Sequence, residues 1–190
     1  MRLPLLNPAE LNQVQRELYD DMRAGIATGF NTFRTALDDG TLIGPWNASL
    51  HHTGVGRAFW DLTKAMNAMG VLPIEVKEVA ILVVGGHYNA AYEIYAHVAA
   101  ANHIGIPLDR IAGLVAGVKP DELSAQQSVA FDVAHALCQR GPLAEPLWRL
   151  AVATFGDGGA AQLVYLVGLY AFVATTLNGF DVPAPDYDDR

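Results

Sequence analysis

The sequence predicts an all-α protein, and three observations carry that prediction. No run alternates apolar and polar residues with a period of two between hairpin turns, as half-buried strands would. Apolar residues instead recur at helical spacing in segments closed by Gly, Pro or Asn. The 190 residues also suffice for one compact domain with a core of its own, so no second domain is needed to explain the length.

The elements follow in order. Asn7-Pro8-Ala9-Glu10 reads as an N-cap, a proline at the first helical position and a glutamate at N3, so an amphipathic helix is expected from there to Gly25. From Gly25 the punctuation by Gly and Asp predicts a loop, with a short helix opening at Pro45 and running toward His52. "RAFWDLTKAMNAMG" places Phe59, Leu62, Met66 and Met69 on one helical face, and Gly70 ends it. Pro73 opens "PIEVKEVAILVV", whose apolar residues are too many for one stripe, so this helix is expected to be central. Gly85 and Gly86 are expected to close it and Asn89 to cap "AAYEIYAHVAAANHIG". Further helices are expected in "PLDRIAGLVAG", "SAQQSVAFDVAHALCQRG" and "AEPLWRLAVATFG", with a turn at Gly156 to Gly159 and a last apolar helix ending near Gly179. Residues 1–43 form an N-terminal helix and loop extension to a helical domain of residues 44–190, and Pro183 and Pro185 lead into a solvated acidic tail or a subunit-spanning arm.

Composition removes several function classes. The net charge is −8 and the 12 basic residues are scattered, so the footprint of a nucleic-acid binder is missing. Cys138 stands alone, which leaves no intrachain disulfide, no CxxC pair and no thiolate zinc cluster. A reducing, cytoplasmic setting is expected. The start of the chain turns polar before a secretory apolar region forms, and "AAQLVYLVGLYAFVATTLNGF" is interrupted by Gln162, so a buried helix rather than a membrane span is expected.

The chemistry concentrates in "GHYNAAYEIYAH", where Glu93 and His97 lie four residues apart and therefore on one helical face. With the preceding turn placed at His87 and Tyr88, Glu78 and His97 each lie nine residues from it. Residues equidistant from the turn of an antiparallel helical hairpin lie at one height, so Glu78 is expected to face His97. Spacing alone favours a solvated ion pair on the surface, but "AAYEIYAHVAAAN" has no basic residue, which turns the reading toward the interior. A metal-dependent enzyme using Glu78, Glu93, His97 and His103 is a further reading, ranked lower because no HExxH or closed ligand set appears. His51 and His52 read as surface residues, His135 as a core histidine and Cys138 as a small buried hydrophobe.

The stretch "IEVKEVAILVVGGHYNAAYEIYAHVAAANHIGI" resembles the carboxymuconolactone decarboxylase family, which includes the alkyl hydroperoxidase D branch. Weaker matches lie in "GPWNASLHH" and "VYLVGLYAFVATTLNGFDVPAP". The resemblance implies an alkyl hydroperoxidase D-like helical bundle with a central antiparallel hairpin. In the peroxidase-like branch a CxxC is served by an upstream Glu and a downstream His; here Glu78 and His97 match those two, while Ala90 and Glu93 occupy the cysteine positions. Thiol peroxidase chemistry is thus not expected, and the chain is similar to the decarboxylase-like branch, which uses no metal or organic cofactor. That resemblance implies a lyase, or a related proton-transfer enzyme, acting on a small carboxylated or lactone-like compound of aromatic catabolism. In it His97 would shuttle the proton, Glu93 would orient it or touch the substrate, and Glu78 would hold the imidazole. Trp46, Asn47, Tyr92 and Tyr170 are expected to line the pocket, and a homo-oligomer, trimer or hexamer, is implied. A non-catalytic ligand-binding member of the fold is the remaining alternative.

Overall fold

A computed structural model describes residues 1–185, and among them the chain forms helices and no named strand. A 3-10 turn at Pro8–Glu10 precedes α1 (Gln13–Gly29), α2 (Pro45–His51), α3 (Thr53–Met69), α4 (Ile74–Tyr88), α5 (Ala91–His103), α6 (Leu108–Val115), α7 (Ala125–Leu137) and α8 (Glu145–Gly179). A lone antiparallel bridge between Ala36 and Leu42 pinches the loop from α1 to α2. The acidic end expected to form a tail or arm falls mostly at residues 186–190, outside the described residues.

α4 occupies the centre, as its sequence requires. Every residue from Val76 to Gly85 except Lys77 is buried, and the helix packs against α5, α6, α7 and α8. It is apolar all round because it has neighbours all round. The extension before residue 44 is part of the same core: Leu18, Tyr19, Met22 and Ile26 of α1 join the apolar cluster that holds α4 and α8.

Several boundaries differ from the expectation, each for a local reason. Asn7 caps only the 3-10 turn, its side chain accepting from the Ala9 amide at 2.9 Å. The long helix starts at Gln13, where Asn12 and Gln15 satisfy each other's orphan amides in a reciprocal capping box. Gly25 does not end α1. A Cβ at that position would lie 2.4 Å from the Trp60 ring, so the glycine lets α1 press on α3, and the helix runs on to Gly29. Gly86 likewise stays inside α4, where a Cβ would sit 2.1 Å from the Val115 carbonyl oxygen of α6. α4 therefore continues to Tyr88, and Asn89 closes it in the left-handed conformation (φ 50°) rather than capping α5. On α3 the buried stripe is Gly56, Phe59, Trp60 and Met66, while Leu62 and Met69 are exposed. His135 is exposed too, stacked on the Phe131 ring.

The last two expected helices form one long element interrupted at Gly156, whose φ of 70° and ψ of 172° break the helical path. α8 is long and apolar enough by composition to cross a membrane, but half of its most apolar window is buried in the bundle. Gln162, fully buried on α8, makes that burial specific. Its Oε1 accepts from the Val71 and Leu72 amides at 3.2 and 3.0 Å, and its Nε2 donates to the Met66 carbonyl at 3.4 Å. The turn from α3 to α4 thus takes its hydrogen bonds from a helix some 90 residues away. Gln162→Leu would leave two amides and a carbonyl unpaired. We predict a loss of about 2–4 kcal/mol, read as a lower urea midpoint at unchanged slope; an unaltered midpoint would contradict this role.

Candidate functional site

Glu78 sits on the face of α4 turned toward α5, and His97 reaches it from α5. His97 Nδ1 lies 2.8 Å from Glu78 Oε2, with 7% and 5% of the two residues exposed. Nδ1–H donating to the carboxylate fixes the imidazole orientation and leaves Nε2 as the free nitrogen. No described group hydrogen-bonds Nε2.

Glu93 lies one turn before His97 on the same face of α5 and is 2% exposed. Neither carboxyl oxygen has a hydrogen-bond partner. Burial without a compensating donor raises its pKa well above the ordinary value, which favours the neutral carboxylic acid. A neutral acid is a hydrogen-bond donor, which an ionised glutamate is not. Tyr170 of α8 completes the cluster, its ring edge-on to His97 at 4.9 Å between centroids. Burial first, then the Glu78 and Glu93 carboxyls, push its phenol pKa upward and keep it a neutral hydroxyl.

An aromatic cover comes from the extension. Phe33 stacks on Trp46 at 6.2 Å and stands 6.3 Å from His97, and Phe30 meets Trp46 edge-on at 5.6 Å. Two tyrosines of α5 pin this loop through one residue. The Tyr92 hydroxyl donates to the Arg34 carbonyl at 2.7 Å, and the Arg34 amide donates to the Tyr95 hydroxyl at 3.2 Å. Tyr92 also fills the space beside Gly44, where any Cβ would lie 2.5 Å from its ring and where φ is +66°.

Two adjoining cavities meet at His97. The smaller, about 40 Å³, is lined by Trp46, Tyr92, Glu93, His97 and Tyr170 among apolar neighbours. The larger, about 160 Å³, is lined by Thr63, Asn67, Lys77, Glu78, His97 and Tyr170. Phe30, Phe33, Thr63, His97, Leu169 and Tyr170 border both. The structure thus gathers Glu78, Glu93, His97, Tyr170, Tyr92 and Trp46 in one place. Asn47 is elsewhere: its side chain accepts from the Leu6 amide at 3.0 Å and donates to the Pro4 carbonyl at 3.1 Å, tying down the N-terminal segment. Phe30, Phe33 and Lys77 were not expected at the site. The signal for the phenylalanines was present, since two large apolar side chains in a loop must cover something.

Among the described residues no group of three His, Cys, Asp or Glu side chains converges as a metal cage. His97 Nδ1 is engaged by Glu78, burial favours the neutral form of Glu93 and His103 is exposed at the end of α5. Cys138, half-buried beyond the end of α7, has its thiol pushed up to about 11, mainly by burial and then by Glu93, and stays protonated.

An alkylhydroperoxidase AhpD core structure, an uncharacterised peroxidase-related protein from Ralstonia eutropha JMP134, superposes with a TM-score of 0.74 at 19% identity, covering 97% of this chain and 92% of the other. The debrominase Bmp8, as an alanine variant in complex with 2,3,4-tribromopyrrole, gives 0.72 at 14% identity, over 98% of this chain and 92% of that one. Its apo form gives 0.71 at 13% identity, over 96% and 91%. The chain has the alkyl hydroperoxidase D-like fold. No family model and no curated protein sequence matches it.

Glu93 gives this site a pH signature. In the unfolded chain the group ionises near its ordinary 4.5, whereas the native protein holds the proton to higher pH. The native state then binds more protons, so stability falls as pH rises above 4.5, by at most about 1.4 kcal/mol per pH unit until the native group ionises. Glu93→Gln removes that proton linkage. Urea melts at pH 5 and pH 8 are predicted to show the variant gaining on the wild type as pH rises; a constant difference would contradict a neutral Glu93.

Proposed function

We propose that the protein is a cofactor-free proton-transfer enzyme of the decarboxylase-like kind, acting on a small carboxylated or lactone-like compound. The observation that carries the reading is the buried Glu78–His97 pair, which leaves Nε2 of the imidazole free where His97 lines a cavity beside the unpartnered carboxyl of Glu93.

Decarboxylation of an unsaturated lactone acid breaks a C–C bond, and carbon dioxide leaves without the electron pair. That pair passes into the conjugated carbonyl as a dienolate. The anion needs a hydrogen-bond donor at oxygen and a proton at carbon. Glu93, neutral and unpartnered, is suited to donate to the oxygen. His97 is suited to deliver the proton through Nε2, with Glu78 stabilising the imidazolium before transfer and fixing the tautomer after it. Phe30, Phe33 and Trp46 supply an apolar wall beside these groups. Dithiol chemistry does not suit the chain, because a disulfide cycle needs a resolving thiol and Cys138 is the one cysteine.

We also propose a homo-oligomer, a trimer or hexamer, as the working form; exposed Val55, Leu62, Tyr165 and Phe172 offer apolar surface for it. The activity is tested by following carbon dioxide release from carboxymuconolactone, beside His97→Ala with its helicity checked by circular dichroism. Turnover should fall by roughly 10²-fold or more in the variant. No release by the wild type, or equal release by a folded variant, would overturn the reading.

A further inference from the structure

The larger cavity at His97 contains a cation that the proposed chemistry has not used. Lys77, half-buried in the first turns of α4, borders it together with Asn67, Thr63 and Glu78. Several basic side chains of the protein meet a carboxylate: Arg34 binds Asp38, Arg57 and Lys64 bind Asp21, Arg110 binds Glu122, Lys119 binds Asp132 and Arg149 binds Glu145. Among the described residues Lys77 meets none, and the Asn67 side chain makes no hydrogen bond either. Thr63 is committed, donating to the Phe59 carbonyl at 2.9 Å.

The two cavities also differ in what they can hold. Around Glu93 the walls are mostly aromatic and aliphatic, with no lysine or arginine to balance an anion. Around Lys77 the walls are mixed, and the volume of about 160 Å³ is close to the roughly 150 Å³ that admits a benzene ring. The protein carries a net charge of −8, so an anion approaching it is repelled overall and needs a local positive group to enter. Glu78 borders the same cavity, but its Oε2 is engaged by His97, and the pair is neutral as a unit when the imidazole is protonated.

We infer that Lys77, assisted by Asn67, anchors one carboxylate of a small cyclic dicarboxylic acid in the larger cavity, so that the carbon losing the other carboxyl stands before His97 and the ring carbonyl reaches Glu93. This names the substrate class and its orientation, and it rests on the proton-transfer reading of the same site. Lys77 is then a specificity-determining residue: it selects for charge and sets which carbon stands before Nε2.

Binding of benzoate and of its neutral isostere benzamide, measured by calorimetry at low salt, tests the inference without relying on turnover. The wild type should bind benzoate at least tenfold more tightly than benzamide, with the preference shrinking as salt is added. Lys77→Met, with its melting temperature checked, should abolish the preference, and Lys77→Arg should keep most of it. Equal affinity for the two probes, no binding of either, or a preference that survives in a folded Lys77→Met protein would overturn it. Failure of the proton-transfer reading looks different: benzoate preference would persist through Lys77 while His97→Ala leaves turnover unchanged.

Discussion

A single buried hydrogen bond, from His97 Nδ1 to Glu78 Oε2 at 2.8 Å, is the interaction on which the site depends. A carboxylate taken out of water on an apolar helix must be paired or neutralised. α4 offers Glu78 no partner of its own: its buried neighbours along the helix are Val, Ala, Ile and Leu, and Lys77 beside it makes no ion pair with it. The imidazole of α5 supplies it, and in doing so fixes the rotation of α5 about its axis. Once α5 is held that way, Glu93 must share the face of His97, and Tyr92 and Tyr95 must point at the loop from the extension.

The second constraint runs the other way. Glu93 has no partner, so the protein holds a group whose ionised form it disfavours. A buried unsatisfied carboxyl costs stability, and natural cores rarely keep one without use. Glutamine would fill the same volume without the linkage to pH. The combination of one paired and one unpaired carboxyl beside a single imidazole separates their chemistry: Glu78 acts on the imidazole, and Glu93 is left to act on whatever enters the cavity.

Much of this was legible in the sequence. The contact of Glu78 with His97 follows from their positions on two consecutive helices, and it forms even though the turn lies at Asn89 and Ala90, later than expected; the two long side chains close the remaining offset. The central place of α4 was legible in its lack of a polar face. What local spacing cannot show is which distant segments fold back. Nothing near Gln162 announces that it will serve the amides of Val71 and Leu72, and nothing near Asn47 announces the N-terminal segment it binds. Glycines misled for a related reason: Gly25 and Gly86 look like helix stops, but they are places where another element presses close. Lys77 carries no local signal of its place, because a lone lysine beside a glutamate reads as solvated surface, and only the fold sets a cavity next to it.

The central claim is that Glu78 and His97 act as one unit, and a double-mutant cycle on folding stability tests it without knowledge of any substrate. Urea denaturation of the wild type, Glu78→Gln, His97→Ala and the double variant gives the coupling directly. A coupling of about 1.5–3 kcal/mol, with the double variant no worse than the weaker single one, is the predicted result for a buried charge-assisted pair. Single losses that simply add, within about 0.5 kcal/mol, would mean that the two residues do not depend on each other, and the account of the site built on their hydrogen bond would fall.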